Sequence, residues 1–389
     1  MSNQPKHPSL LIPGPIEIDD TVLRSMSHYS ESHVDISFIK TFGKTLFMLR
    51  KLFQTNDPES QPFVISGSGT LGWDLVAANL AERGDDVLVL HTGYFADSFS
   101  DCFETYGINV TQLRAPIGSR PQLIEVEEAL AKKTYKLLTV THVDTSTGVL
   151  SELEPISELV NRVSPETLVI VDGVCSVGSE EIAFDAWKLD GVITASQKAI
   201  GGPAGLSISI FSGRAIQSFK DRRTPPGLET NIKAASFKNW MPIMQSYEAQ
   251  EPSYFATPSI HLIHALHTSL MQILSRPLAE RFAIHREISQ RVKEAVSAMG
   301  LTQLAANPEN QANGMTAIYL PENIKAKELL SKVLQKGVIL AGGLHKEIAH
   351  KYIRFGHMGV SVTMPERGDI ERAIKALETS LSELGYRKE

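Results

Sequence analysis

The chain has 389 residues, 42% of them hydrophobic, a formal net charge of −6, a pI near 6.1 and a mean hydropathy of −0.08. A chain of this size buries a large core and has length enough for two domains. Its mild acidity gives no general attraction for nucleic acid or acidic lipid, and no apolar run approaches the roughly 18 residues that cross a bilayer. The two cysteines, Cys102 and Cys175, lack metal-site spacing and point to reduced thiols rather than a disulfide frame.

The first residues, Met1 to Pro8, hold no apolar signal core and only one lysine, and the final Tyr386-Arg387-Lys388-Glu389 is not the peroxisomal tripeptide. A cytoplasmic protein is expected, with mitochondria or peroxisomes as alternatives. From about residue 60 to 212, apolar runs at 63–66, 87–91, 137–142, 168–172, 191–195 and 205–211 alternate with helical patterns. The alternation predicts βαβ units, an α/β fold with a mostly parallel sheet covered by helices on both faces. Region 213–258, with Arg222-Arg223-Thr224-Pro225-Pro226-Gly227 and few apolar runs, reads as irregular and near an interface. From about 260 to 298, Ile260, Ile263, Leu266, Leu270 and Ile273 recur at helical spacing, and shorter α+β material follows. The expected organisation is an N-terminal arm over 1–20, a large domain over 21–262 and a smaller C-terminal domain over 263–389. No internal repeat is visible.

Three patterns carry chemistry. The run Val169-Ile170-Val171-Asp172 ends in a lone carboxylate, and 26 residues later Thr194-Ala195-Ser196-Gln197-Lys198 ends in a lone lysine, followed by Gly201, Gly202, Pro203, Ala204 and Gly205. Strands ending this way place both groups at the C-terminal edge of a parallel sheet, where ligands bind. A partly desolvated lysine there forms a Schiff base with a carbonyl, and a nearby aspartate holds a pyridinium nitrogen protonated. Together they point to pyridoxal phosphate. Read singly, the lysine is a solvated loop residue and the aspartate a helix N-cap.

The second pattern is Ser66-Gly67-Ser68-Gly69-Thr70-Leu71-Gly72, a small, hydroxyl-rich turn between a strand and a helix periodic in Leu71, Leu75, Val76 and Leu80. Such a turn lets N–H groups at a helix N-terminus approach a phosphate. Its glycines also spell the dinucleotide fingerprint, but the run Val87-Leu88-Val89-Leu90 ends in His91-Thr92-Gly93, and the nearest acids, Asp85 and Asp86, precede it. That placement counts against NAD and leaves a simple phosphate cradle standing. The third is Arg354, after Lys351-Tyr352-Ile353, whose guanidinium fork suits the carboxylate shared by amino and keto acids; read alone it is more readily a surface salt-bridge arginine. His345, Lys346, His357 and Met358 lie close in sequence without metal-ligand spacing, so no metal site is expected.

Six segments in order along nearly the whole chain carry a family resemblance: Leu11-Ile12-Pro13-Gly14-Pro15, Ser66 to Thr70, Thr141-His142-Val143-Asp144-Thr145-Ser146-Thr147-Gly148-Val149, Val171-Asp172, Ser196-Gln197-Lys198-Ala199 and Tyr352-Ile353-Arg354-Phe355-Gly356. They resemble the class V aminotransferases of the fold type I pyridoxal phosphate family, and within them the fungal-type alanine:glyoxylate aminotransferases. The resemblance implies ping-pong transamination of glyoxylate to glycine with L-alanine as donor, giving pyruvate. Serine with pyruvate or glyoxylate is the nearest alternative. A cysteine desulfurase is disfavoured, since neither cysteine sits on an evident mobile C-terminal loop, and an NAD-dependent oxidoreductase would leave Lys198 and Asp172 unexplained.

The resemblance also implies roles. Lys198 carries the cofactor and then moves the proton between the substrate Cα and the cofactor's C4′, while Asp172 pairs with the pyridinium. Ser68, Gly69, Thr70 and Gln197 hold the phosphate. Thr145 bonds near the ring hydroxyl, with Ser146 a close second. Phe95 stacks on the ring where many relatives carry tryptophan, a departure that offers less π surface, and Tyr94 would stack if the loop were shifted by one. Arg354, Gly14 and Thr145 meet the substrate. Tyr254 and Thr257 of Tyr254-Phe255-Ala256-Thr257-Pro258 reach in from the second subunit of a homodimer.

Overall fold

The computed structural model describes residues 4–223 and 233–388; Thr224 to Gly227 of the expected irregular region lie outside the described residues, as do Met1-Ser2-Asn3. Seven strands form the large sheet: β1 (Gln61–Ser66), β2 (Asp86–His91), β3 (Asn109–Arg114), β4 (Leu137–Thr141), β5 (Leu168–Asp172), β6 (Gly191–Ala195) and β7 (Leu206–Phe211). Their order is β1-β7-β6-β5-β4-β2-β3. Only β7 runs against its neighbours, β1 and β6. The remaining pairs are parallel, with Asp172 in register with Thr141 on one side and Ile193 on the other. Every residue of β4 through β7 is buried, which requires cover on both sheet faces and explains why these runs hold only apolar and small residues before the terminal Asp172.

The covering helices are α1 (Ile36–Leu52), α2 (Leu71–Leu80), α3 (Tyr94–Thr105), α4 (Leu123–Lys132) and α5 (Leu153–Val163). Beyond β7 the structure departs from the sequence reading. Region 213–258 carries two helices, α6 (Gly213–Lys220) and α7 (Phe237–Glu248). Ser212 caps α6 by accepting from Ala215 N, and α7 buries Phe237, Trp240, Ile243, Met244 and Tyr247 at helical spacing around an internal Pro242. The proline and the polar residues between these anchors masked the period. Strand β3 also had no counterpart among the expected runs, because Asn109 and Arg114 at its ends are exposed and the rest is only half-buried at the sheet edge.

Helix α8 (Ile260–Ile273) packs with α1 in the first hydrophobic core. From α9 (Leu278–Ala298) onward a second core forms around a three-stranded antiparallel sheet, β8 (Met315–Tyr319), β9 (Ala341–Gly342) and β10 (Tyr352–Gly356), in the order β8-β10-β9. Helices α10 (Ala326–Gln335) and α11 (Asp369–Glu383) cover it, burying Leu329, Ala373 and Leu377 against Ile353 and Phe355. The chain's beginning belongs to this second core: Ser9–Leu10 pairs in parallel with Val338–Ile339, and Leu11 is buried there. Gly356 N donates to Leu11 O (2.8 Å), which aims the next residues, Pro13 and Gly14, at the C-terminal edge of the large sheet. Among the described residues no helix is long and apolar enough to cross a membrane.

Candidate active site

The C-terminal edge of the parallel strands gathers the predicted groups. Asp172 is the last residue of β5 and Lys198 lies three residues past the end of β6. The turn that presents Lys198 closes on itself: Gly201 N donates to Lys198 O (2.7 Å) and Gly202 N to Ser196 O (2.8 Å), with Gly201 at φ +79°. Arg281 of α9 clamps the same turn, donating from Nη2 to Ala199 O and from Nε to Gly178 O (2.7 Å each). Burial pushes this guanidinium down to about 10.

Ser68, Gly69, Thr70, Phe95, Thr145, Asp172, Gln197 and Lys198 line one cavity. Asp172 is fully buried; its Oδ2 accepts from Trp73 Nε1 (2.8 Å) and its Oδ1 from Val174 N (3.0 Å). Burial pushes its carboxyl up to about 6, and those two hydrogen bonds and the Lys198 charge only partly oppose it. Lys198 donates to Pro13 O, and burial, aided by the Arg354 charge, lowers its ammonium pKa toward the neutral amine. Gly14 has no room for a side chain: a Cβ there would stand 2.2 Å from Lys198 Cδ and 2.7 Å from Nζ.

The phosphate turn is open. Thr70 leads into α2 without a side-chain cap, and the N–H groups of Ser68, Gly69 and Thr70 make no hydrogen bond among the described residues. Gly69 and Gly72 let the turn and helix lie against the sheet, since a Cβ at Gly69 would sit 3.2 Å from Ala195 Cβ and one at Gly72 2.8 Å from Ile193 Cβ. The side-chain oxygen of Gln197 is buried without a partner, so its amide is free to present either end to a ligand. Open amides at a helix N-terminus, an unpartnered amide side chain, a buried carboxylate and a buried amine together match the donor and acceptor set of pyridoxal phosphate.

The two pairs of alternatives stand differently toward the cavity. Phe95 lines the cavity, whereas Tyr94 packs edge-on against it (5.3 Å between ring centroids) beneath Lys346 Nζ (5.9 Å). Thr145 lines the cavity, whereas the Ser146 hydroxyl is used elsewhere, donating to Asp144 Oδ1 (2.5 Å) and accepting from Tyr94 N (3.0 Å). Arg354, on β10, donates from Nε to Gly342 O (2.8 Å) and from Nη1 to Thr145 O (3.2 Å), leaving Nη2 without a protein partner among the described residues. Tyr254 and Thr257 are not brought to this chain's cavity. Both are exposed, and Tyr254 packs on His33 (4.7 Å between ring centroids). The segment turns back at Ser259, whose Oγ shares a hydrogen bond with Ser66 Oγ (2.8 Å) at the end of β1.

Sequence reasoning missed four lining residues, Trp73, Thr141, Val143 and Val174, and the fully buried Asp144 behind them. Asp144 accepts from Ser146 N (2.9 Å) as well as from its hydroxyl, and burial raises its carboxyl pKa. Tyr352 OH donates to Ser146 O (2.5 Å) while accepting from Leu344 N and His345 N (2.8 Å each), so the turn bearing Thr145 is tied to the start of β10 and to the segment before it.

Residues 17–363 match the family described as Aminotransferase class-V. The chain belongs to the class-V aminotransferases. It is 42% identical to alanine–glyoxylate aminotransferase 1 of Saccharomyces cerevisiae over 91% of this chain and 92% of that protein. It is 30% identical to a serine–glyoxylate aminotransferase of Methylorubrum extorquens over 92% and 88% of the two chains. Among solved structures, an alanine–glyoxylate aminotransferase from Nostoc superposes with a TM-score of 0.87 at 30% identity, covering 97% of this chain and 96% of that one. The expected fold, a mostly parallel sheet with flanking helices, is that of the family.

Proposed function

We propose that this class-V aminotransferase moves the amino group of L-alanine to glyoxylate, releasing pyruvate and glycine, with pyridoxal phosphate held at Lys198. The observation that carries the reading is the enclosure of a buried amine and a buried carboxylate in one cavity with the open N-terminus of α2. The 42% identity to the yeast enzyme supports the substrate pair.

Ser68, Gly69, Thr70 and Gln197 would hold the phosphate, Thr145 the ring hydroxyl, Asp172 the ring nitrogen and Phe95 one ring face. Bound there, pyridoxal phosphate supplies a carbonyl that takes up amino groups and a ring that absorbs electrons. Lys198 Nζ, kept toward its neutral form by burial and positioned by Pro13 O, takes the proton from the amino acid Cα and returns one to the partner carbon. Arg354 meets the substrate carboxylate with its unshared Nη2, and Gly14, bare of a side chain, lets the backbone lie against Lys198 where the substrate is bound. Tyr254 is 62% exposed and packs on His33 (4.7 Å between ring centroids), and so large an aromatic left open supports a homodimer in which Tyr254 and Thr257 reach the partner's cavity.

Two measurements test this. The purified protein should show the visible absorption of a lysine-bound cofactor, and borohydride reduction followed by peptide mapping should place the pyridoxyl group on Lys198 alone; label on another lysine refutes the assignment. A donor screen with glyoxylate should give the highest kcat/KM with L-alanine. Faster turnover of L-serine would transfer the reading to the serine-using branch.

A further inference from the structure

Away from the Lys198 cavity, two histidines converge on one shielded carboxylate. The Glu31 side chain is only 4% exposed, and its Oε1 lies 2.5 Å from His264 Nε2 and 3.7 Å from His28 Nδ1. The candidate ligand atoms of all three residues fall within 4.8 Å of one another. The second carboxylate oxygen accepts from Ser37 Oγ (2.9 Å) in the first turn of α1, which orients the group. His264 is fixed on α8, and His261 one turn earlier bonds His28 O through Nε2 (3.0 Å), pinning the backbone that carries the second imidazole. An ion pair would need one imidazole; here the second stacks on the first, with centroids 4.2 Å apart and planes 19° from parallel, and its Nδ1, bonded to Tyr29 O, stands 3.7 Å from the same carboxylate oxygen.

We propose that His28, Glu31 and His264 form a binding site for a divalent transition ion of the zinc class. Two imidazole nitrogens and one carboxylate oxygen are a zinc donor set that leaves a fourth position for water, whereas magnesium and calcium require mostly oxygen. Binding at the usual nitrogen distance of about 2.0–2.1 Å requires the stacked rings to splay. His28 is the ring that moves: it lies on an irregular segment with its side chain 29% exposed, and it exchanges its contact with Tyr29 O (2.8 Å) for the ion. Glu31 and His264 are 233 positions apart, which is why spacing in the sequence concealed the set. A bound ion would tie the segment before α1 to α8. That segment continues to His33, which packs on Tyr254.

The test uses the cofactor-loaded enzyme, stripped with a chelator and titrated with zinc sulfate against a chromophoric competitor. One zinc per chain should bind, with an X-ray absorption edge fitted by two imidazole nitrogens and a carboxylate, and an excess of magnesium should not displace it. His264→Ala and Glu31→Gln should each weaken binding roughly 100-fold or more, as loss of a direct ligand exceeds the 10–100-fold cost of an outer-shell change, while His350→Ala on the exposed surface leaves it intact. If either variant fails to fold, His28→Gln gives the same readout from the exposed segment. Absence of a stoichiometric site, or zinc that stays bound in the His264, Glu31 and His28 variants, overturns the proposal.

Discussion

A carboxyl group that burial holds near 6 is costly to ionise, and Asp172 is such a group unless a cation faces it. Its folded-state pKa lies above its unfolded value, so its contribution to stability is full below the ordinary carboxylate range and is lost as the pH rises through about 6. The cofactor-free protein should therefore lose about 2.4 kcal/mol of unfolding free energy between pH 4 and 7 relative to Asp172→Asn, at about 1.4 kcal/mol for each tenfold gain in proton affinity on folding. Urea titrations of the two proteins across that range would decide it; parallel curves would show that Asp172 ionises without cost. The same substitution leaves shape nearly intact but removes the charge, so turnover should fall several hundredfold, about 3–4 kcal/mol for a lost electrostatic partner in a desolvated site. Near-normal turnover would assign the ring nitrogen to another group. Arg354→Lys keeps a charge but loses the fork and the ties to Gly342 and Thr145. The half-reaction with amino acid should weaken by roughly 2 kcal/mol or more while the lysine-bound absorption band stays, as single-turnover spectra can check.

Helix α2 works only as close to the sheet as Gly72 allows, because the next atom along that direction is Ile193 Cβ. Gly72→Ala forces the helix outward, with a strain of about 1–3 kcal/mol, and lifts the Ser68–Thr70 amides off the phosphate position. Cofactor dissociation should accelerate at least ~10-fold, an effect of about 1.4 kcal/mol; unchanged retention would mean that the turn tolerates the shift. What the sequence disclosed about these elements follows their physics. Strands buried on both faces stand out as short runs rich in apolar and small residues with no charge inside them, so β4 to β7 are legible along with the charged residues that end or follow β5 and β6. Edge strand β3 presents half-exposed polar residues and α7 interrupts its period with Pro242, so neither stands out locally. Trp73 and Asp144 escaped for a different reason. Trp73 acts through Asp172, 99 positions away, and Asp144 bonds the adjacent Ser146, whose carbonyl Tyr352 reaches across 206 positions. A one-dimensional pattern carries no trace of such contacts.

At the scale of the whole molecule the site is an assembly of separate cores. The N-terminal strand pairs inside the second core and delivers Pro13 to Lys198, Arg354 of the second core reaches the turn bearing Thr145 in the first, and Arg281 ties α9 to the lysine turn. Within one chain, Tyr254 and Thr257 are the proposed site residues that this convergence leaves outside. Their exposure has a simple physical account if a second copy covers them and its cavity receives them. In that arrangement a Lys198→Ala chain and a Tyr254→Phe/Thr257→Ala chain are defective in different halves of each site. Mixed dimers then contain one site with an intact lysine from one chain and intact Tyr254 and Thr257 from the other. Combining the two inactive proteins under conditions of subunit exchange should restore activity toward roughly a quarter of wild type, since half of randomly paired dimers are mixed and each carries one good site. Exchange is followed independently with differently tagged chains. Complete exchange without recovered activity would place Tyr254 and Thr257 away from the catalytic centre or in the same chain's site, and would remove the cross-subunit contribution from the proposed function while leaving Lys198 and Asp172 untouched.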